Sequence, residues 1–133
     1  MKSITPHVRS MLIKAQRSEI TEYHIYKKLA QKTTDEKSKK ILNSIAEDEL
    51  RHYNIWMKYS GREVEPSRWN IFKFYWMAQI FGVSFGLKQM ELGEQRAQID
   101  YREIGKEIPE ALIIGKEENQ HEKELLKMLK AKD

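Results

Sequence analysis

The motif Glu-x-x-His occurs twice in this chain, each time inside a segment with helical periodicity. Glu49 precedes His52, and Glu118 precedes His121. Residues three apart lie on one face of a helix, so each pair can direct its side chains at one atom. A carboxylate and an imidazole at that spacing can bind iron, manganese or zinc. The repeated motif therefore predicts an all-α fold whose helices carry metal ligands.

The composition supports this prediction. A length of 133 residues predicts a single domain, residues 1–133, and six Gly and three Pro provide few turns. The absence of Cys excludes disulfides, thiolate catalysis and Cys-ligated zinc or iron–sulfur centres. The net charge is +4, but basic and acidic residues alternate as on a solvated surface, which does not favour nucleic-acid binding. The N-terminus lacks the apolar run of a signal peptide, so we expect a cytoplasmic protein.

Capping signals divide the chain into four main helices. Thr5 and Pro6 predict the start of a first helix over about 6–31. A second helix should begin after residues 33–35 and end near Ser60, before Gly61. A third main helix should continue to about Gly105.

Pro109 is expected to open the last helix, because proline is favoured at the first helical position. Apolar residues and the second Glu-x-x-His motif share one stripe along it. The positions predicted to face inward are Leu112, Ile113, Glu118, His121, Leu125 and Met128.

The aromatic segment 69–81 has two interpretations. Residues 60–83 could form a long, partly helical crossover between the second and third helices. Alternatively, one helix over about 67–105 would be roughly 58 Å long at 1.5 Å per residue and would require helix exchange between two chains. Both predict a homodimer with 69–81 at its interface. The segment is too short and too interrupted by Lys73 and Gln79 to be a clear membrane span. A weak membrane contact is a disfavoured third option.

Two further carboxylates complete a repeating pattern. Glu19 is followed seven residues later by Tyr26, and Glu94 is followed at the same distance by Tyr101. Seven residues are nearly two helical turns, so each Tyr should share a stripe with its Glu. One Glu from each of two helices and Glu-x-x-His from each of two others is the ligand pattern of four-helix di-metal carboxylate proteins. Without metals these groups would be unpaired buried charges.

The segments 19–26, 48–53, 85–94 and 117–122 resemble the rubrerythrin-like (erythrin) branch of the ferritin-like superfamily. They are most similar to the ferritin-like domain that some proteins fuse to a vacuolar-iron-transporter-type membrane domain. The resemblance covers essentially the whole chain. It implies a ferritin-like four-helix bundle with a non-haem di-iron site that reacts with peroxide or oxygen.

The resemblance also implies six metal ligands: two bridging carboxylates, two imidazoles and two terminal carboxylates. In that order they are Glu49 and Glu118, His52 and His121, and Glu19 and Glu94. Three further pairs are implied around these ligands. Glu22 and Glu91 are alternative carboxylates, and Tyr26 and Tyr101 are phenols that could hydrogen-bond a ligand. Asp48 and Glu117 are carboxylates that could orient a histidine through its other nitrogen.

The function implied is that of an oxidoreductase with two iron ions, or manganese in their place. It would reduce hydrogen peroxide, or oxidise ferrous iron with peroxide or dioxygen. A rubredoxin-type Cys centre is absent, so peroxide reduction would need an external electron donor. The alternatives are a non-catalytic iron-binding or iron-delivery module, and a metal-free helical protein that binds a partner.

Overall fold

The computed structural model describes residues 4–97 and 99–131, with side chains described for all of these except 93–97 and 131. All regular structure in these ranges is helical, as predicted. The helices are α1 (Pro6–Lys32), α2 (Glu36–Ser60), α3 (Arg68–Phe81), α4 (Val83–Ala97), α5 (Tyr101–Gly105) and α6 (Glu110–Ala131). Across the described ranges, no helix has the length and apolar character needed to cross a membrane.

Local signals set the ends of α1 and α2. The Thr5 hydroxyl accepts a hydrogen bond from the backbone N–H of Val8, and the Asp35 carboxylate accepts one from Ser38. Gly61 ends α2 in the left-handed conformation, with φ 70°. The two helices form the most extensive pair in the molecule. Their predicted bounds are therefore confirmed to within a residue or two.

The crossover prediction is confirmed and the continuous-helix alternative is wrong. Helix α3 lies within the predicted crossover 60–83, and the chain breaks at Gly82, whose φ of 99° and ψ of 157° lie outside the helical region. The chain then turns back and brings Gly86 against Ala78. The approach is so close that a Cβ at Gly86 would lie 3.1 Å from the Cβ of Ala78. Helix exchange, which a helix over 67–105 would have required, is not needed to form this arrangement.

The third main helix is also shorter than predicted. It does not continue to Gly105, because α4 ends at Ala97 and a separate α5 begins at Tyr101. The Asp100 carboxylate accepts hydrogen bonds from the backbone N–H groups of Arg102 and Glu103. This side chain competes with helix continuation and starts a new helix instead.

Two apolar clusters form the core, one on each side of a polar layer. The first includes Ile25, Leu29, Leu42, Ile45, Leu87, Met90, Leu125 and Met128. The second includes Val8, Leu12, Trp56, Ile104, Ile108 and Ile114. Along α1, α2 and α6, the Glu and His residues predicted as ligands fall between the positions that enter the two clusters. The polar residues are therefore held between two apolar layers.

One prediction about α6 is wrong. Leu112 and Ile113 were expected to face inward, but they are 49% and 62% exposed, whereas Ala111 and Ile114 are buried. Positions 114 and 111 lie seven and ten residues before His121, which is about two and three helical turns. They therefore lie on the same buried face of α6 as His121. Leu112 and Ile113 lie off that stripe.

Candidate metal centre

Three helices bring four of the predicted ligands together. Glu19 from α1, Glu49 and His52 from α2, and Glu118 from α6 each offer one ligand atom, and these atoms all lie within 4.8 Å of one another. Glu19, Glu49 and His52 are at most 1% exposed. The Glu118 side chain is 19% exposed, so this edge of the cluster approaches solvent.

The imidazole of His52 lies among the three carboxylates. Its Nδ1 atom lies 2.9 Å from Oε1 of Glu118 and 3.3 Å from Oε2 of Glu19. Oε1 of Glu49 is slightly farther, at 3.7 Å. One nitrogen of His52 therefore faces carboxylates from three helices.

His121 approaches the same cluster from α6. Its Nδ1 atom lies 3.2 Å from Oε1 of Glu49, the oxygen that also faces His52. The two imidazole rings are stacked, with centroids 6.1 Å apart and planes inclined by 26°. Glu49 therefore lies between one nitrogen of each histidine, which is the arrangement expected of a bridging carboxylate.

The outer nitrogen of each histidine faces a carboxylate on the opposite helix. Nε2 of His52 lies 3.4 Å from Oε1 of Glu117, and Nε2 of His121 lies 2.8 Å from Oδ2 of Asp48. A carboxylate that accepts the Nε2 hydrogen leaves Nδ1 free to bind a metal. The structure places Asp48 and Glu117 as the orienting role requires, and the role itself stays a prediction.

Arg51 was not identified from the sequence. Its guanidinium forms ion pairs with Glu117 and, at 3.4 Å, with Asp48. The spacing of three residues from Asp48 was a visible signal for one of these pairs. The pair with Glu117 depends on how α6 packs against α2, which no local pattern specifies. Arg51 joins the two outer carboxylates.

The pKa values of Glu19 and Glu49, inside the cluster, shift in the opposite direction from that of Asp48, at its outer side. Burial, followed by the charges of Glu19 and Glu118, raises the pKa of Glu49 well above its usual value. Burial and the charge of Glu118 raise the pKa of Glu19. Burial also opposes ionisation of Asp48, but its hydrogen bond to His121 outweighs that effect and lowers its pKa. Glu49 and Glu19 therefore release their protons at higher pH than an exposed glutamic acid does, whereas Asp48 ionises more readily than an exposed aspartic acid.

His52 is charged in this arrangement. Burial lowers its pKa, but the close, negatively charged carboxylates of Glu118 and Glu19 outweigh burial and raise the pKa to about 10. The proton on His52 therefore partly compensates the carboxylates. A metal ion that binds its Nδ1 must displace that proton.

The residues present fit a metal centre. Among the described side chains, several buried polar atoms in the cluster have no hydrogen-bond partner: both carboxylate oxygens of Glu49, Oε1 of Glu118 and Nδ1 of His121. Each such atom destabilises the fold unless it finds a partner. Carboxylate oxygens and imidazole nitrogens are suitable ligands for iron, manganese and zinc. A bound cation would satisfy these atoms and offset the buried negative charge.

The remaining predicted residues are placed less uniformly. Glu22 is buried one turn from Glu19. Tyr26 is also buried, and burial followed by the charges of the nearby glutamates raises its pKa well above 10. Burial and contact with Glu122 raise the pKa of Glu91 to about 7. The roles predicted for Glu22, Tyr26 and Glu91 stay predictions.

Glu94 and Tyr101 are the second Glu–Tyr pair that the sequence predicted. The side chain of Glu94 lies outside the described residues. Tyr101 packs with the second apolar cluster, beside Gly115 of α6. Glu94 and Tyr101 were expected on one helix, but α4 ends at Ala97 and Tyr101 begins α5.

Comparison with known proteins agrees with this site. The rubrerythrin family model matches residues 10–108, well over half of the chain. The chain belongs to the rubrerythrin family. Its helical arrangement is that of the ferritin-like superfamily, as the sequence predicted. No curated protein and no solved structure matched the chain.

The family match ends before α6. The assignment of Glu118 and His121 therefore depends on the distances within this structure, where both reach the residues contributed by α1 and α2. The matched range and the geometry together support a metal site made of Glu and His side chains.

Proposed function

We propose that this rubrerythrin-family chain is a non-haem di-iron carboxylate protein that reduces hydrogen peroxide or oxidises ferrous iron. The supporting observation is the buried carboxylate of Glu49, which faces Nδ1 of both His52 and His121. Two histidines that share one carboxylate suit two metal ions better than one, because each ion then receives its own nitrogen ligand.

Six side chains would hold the two ions. Glu49 and Glu118 would be shared between them, and each ion would receive one histidine and one terminal carboxylate. The histidines are His52 and His121, and the terminal carboxylates are Glu19 and Glu94. Bound iron would supply one-electron redox chemistry toward peroxide or dioxygen.

The chain's own residues prepare this chemistry. Asp48 and Glu117 hold the imidazoles with Nδ1 toward the cluster, and Arg51 holds both of these carboxylates. The two apolar clusters limit water at the buried side.

Metal stoichiometry tests the di-iron assignment. Chains loaded anaerobically with ferrous iron and desalted should carry two irons, and Glu49→Ala or Glu118→Ala should abolish this binding. Glu47→Ala is the matched control, because Glu47 is an exposed carboxylate on α2 that pairs with Lys27 outside the cluster. Retention of two irons by both ligand variants would contradict the proposal.

A second candidate is a non-catalytic iron-binding or iron-delivery module. The partial exposure of Glu118 favours it, because a ligand at the solvent edge can pass metal in or out. Turnover separates the two functions. Peroxide consumption over several cycles with an added reductant supports the oxidoreductase, whereas one stoichiometric reaction followed by release of iron to a chelator supports delivery.

A further inference from the structure

Helix α3 has apolar side chains on two opposite faces. Its inner face contributes Ile71, Phe74 and Ala78 to the first apolar cluster. Its outer face carries residues spaced three and four apart, as on one helical stripe. They are Trp69, Phe72, Trp76 and Ile80, which are 66%, 55%, 46% and 69% exposed. An exposed row of large apolar side chains opposite the packed face of a helix is typical of an interaction site.

The outer face is an ordered aromatic surface. The rings of Trp69 and Phe72 stack with centroids 6.0 Å apart, and Phe72 meets Trp76 edge-on at 6.1 Å. Phe81 and Phe85, one on each side of Gly82, are also exposed, and their ring centroids lie 4.9 Å apart. Since the rings already contact one another, a partner would meet a preformed surface.

Positive charges flank this aromatic surface. Nζ of Lys28 and Nζ of Lys32 lie 5.4 and 5.9 Å from the ring centre of Tyr75, which contacts Trp76. Nζ of Lys73 lies 4.7 Å from the ring centre of Phe74. Residues 66–90 contain no Asp or Glu. The face therefore combines aromatic side chains with a border of one sign of charge.

A groove of about 410 Å³ opens beside the same face. Lys28 and Arg68 supply positive charge to it, and Phe72 and Tyr75 supply aromatic surface. Phe72 belongs both to the groove and to the outer stripe. An anionic group placed in this groove would thus lie next to the aromatic surface.

We propose that the outer face of α3 docks on the surface of a lipid bilayer that carries anionic headgroups. Tryptophan and phenylalanine partition into the boundary between headgroups and acyl chains, where the indole N–H stays hydrated. The lysines and Arg68 extend toward the phosphates while their methylene groups cover apolar surface. Helix α3 lies in the plane of the bilayer surface in this arrangement.

A second copy of the chain, the partner expected from the sequence, fits this face less well. A two-fold axis along α3 would bring Arg68 against Arg68 and Lys73 against Lys73. A perpendicular axis would place Arg68 opposite residues 80 and 81, which are apolar. In neither arrangement does the segment 66–90 of the second copy offer an acidic partner to these cations, because it contains no Asp or Glu.

Co-sedimentation with vesicles tests the proposal, using the full chain. Vesicles of phosphatidylcholine with phosphatidylglycerol should bind the protein at least ten-fold more strongly than vesicles of phosphatidylcholine alone. Binding should shift tryptophan emission to shorter wavelength and weaken as salt rises. Equal binding to both vesicles, or no binding to either, would overturn the proposal.

Two pairs of variants locate the contact. Trp69→Ser combined with Trp76→Ser should lose vesicle binding, whereas Leu112→Ser combined with Ile113→Ser, at exposed apolar positions of α6, should keep it. Lys73→Gln should weaken binding about five-fold, as expected for one interfacial cation, and Lys116→Gln on α6 should not. Circular dichroism checks that helicity is retained, and the single lysine change keeps the test valid if the double variant does not fold.

Light scattering tests whether a second copy of the chain, rather than a bilayer, covers the outer face of α3. The proposal expects the same mass for the wild-type chain and for Trp69→Ser combined with Trp76→Ser in the absence of vesicles. A wild-type dimer that this variant converts to a monomer would assign the face to a second copy and overturn the proposal.

Discussion

At the scale of single residues, α2 and α6 make two reciprocal contacts between a histidine and a carboxylate. His52 on α2 faces Glu117 on α6, and His121 on α6 faces Asp48 on α2. The outer nitrogen of each histidine therefore contacts a carboxylate on the helix that does not carry that histidine. Arg51 completes the arrangement, because its guanidinium pairs with both outer carboxylates.

Replacing Arg51 by glutamine should weaken metal binding without removing a ligand. Asp48 and Glu117 would lose their shared cation, and each could then rotate away from its histidine. Loss of an outer partner of a metal-bound histidine typically costs 10–100-fold in affinity, and we expect about ten-fold for this more remote change. Competition titrations with Mn(II), which is redox-stable in air at neutral pH, would measure the dissociation constant.

Arg102→Gln is the matched control for Arg51→Gln, because Arg102 is an exposed arginine on α5 and outside the cluster. It should bind Mn(II) as tightly as the wild-type chain. Equal affinities in all three proteins would show that Arg51 does not position the outer carboxylates.

The Glu and His residues that the structure brings together could be predicted from the sequence, whereas Arg51 could not. Glu49 and His52 share a helical face by spacing alone, and burial of so many charged groups requires compensation. The contact between Arg51 and Glu117 depends on the rotation of α6 about its own axis. That rotation follows from packing of the whole bundle, so no local pattern reveals it.

At the scale of elements, the predicted bounds were accurate where a cap is local. Where a break competes with helical periodicity, the sequence left two alternatives open at Gly82 and gave a wrong bound at Asp100. Thr5 and Asp35 begin helices through their own side chains, and Gly61 ends a helix through its backbone conformation. Gly82 lies within an apolar stretch whose spacing would also suit a continuous helix. Asp100 likewise interrupts a pattern that continues on both sides. Periodicity alone cannot show which of the two tendencies prevails.

Gly82→Ala should destabilise the fold more than Gly61→Ala. Gly82 has φ 99° and ψ 157°, a region available essentially only to glycine, whereas Gly61 has φ 70° and ψ 17°. A Cβ would meet no atom within 4 Å at either position, so the cost is a backbone cost at both. We expect a loss of about 1–3 kcal/mol in the free energy of unfolding for Gly82→Ala and about 1 kcal/mol for Gly61→Ala.

Urea denaturation of the two glycine variants in EDTA would measure these losses without a metal contribution. A smaller loss for Gly82→Ala than for Gly61→Ala would contradict the conformation assigned to the turn between α3 and α4.

At the scale of the whole molecule, stability and metal binding are coupled through protons. The polar layer lies between two apolar clusters, so its ionisation affects the folding of both. In the metal-free chain, Glu49 and Glu19 have raised pKa values, and that of His52 is about 10. Groups with raised pKa values bind more protons when folded than when unfolded, so the stability they contribute declines as pH rises.

The sign of this effect is the same for both residue types. The carboxyl groups stabilise the fold fully below the unfolded value of about 4.5, and this contribution is lost as pH rises through their raised values. His52 contributes fully below about 6.5 and loses its contribution as pH approaches 10. Asp48 and Glu117, whose pKa values are lowered, stay ionised above pH 5.5 and do not change between pH 5.5 and 8.5.

Metal should reverse this dependence, because it binds only the deprotonated ligands. The increase in melting temperature on adding excess Mn(II) should be larger at pH 8.5 than at pH 5.5, since each displaced proton raises affinity up to ten-fold per pH unit. Free metal at about 1,000 times the dissociation constant would stabilise the fold by ~4 kcal/mol. Calorimetry with and without Mn(II) at both pH values measures this, and Glu49→Gln should remove most of the increase. An increase that is equal at the two pH values would show that no ligand proton is displaced, and that Mn(II) does not bind Nδ1 of His52.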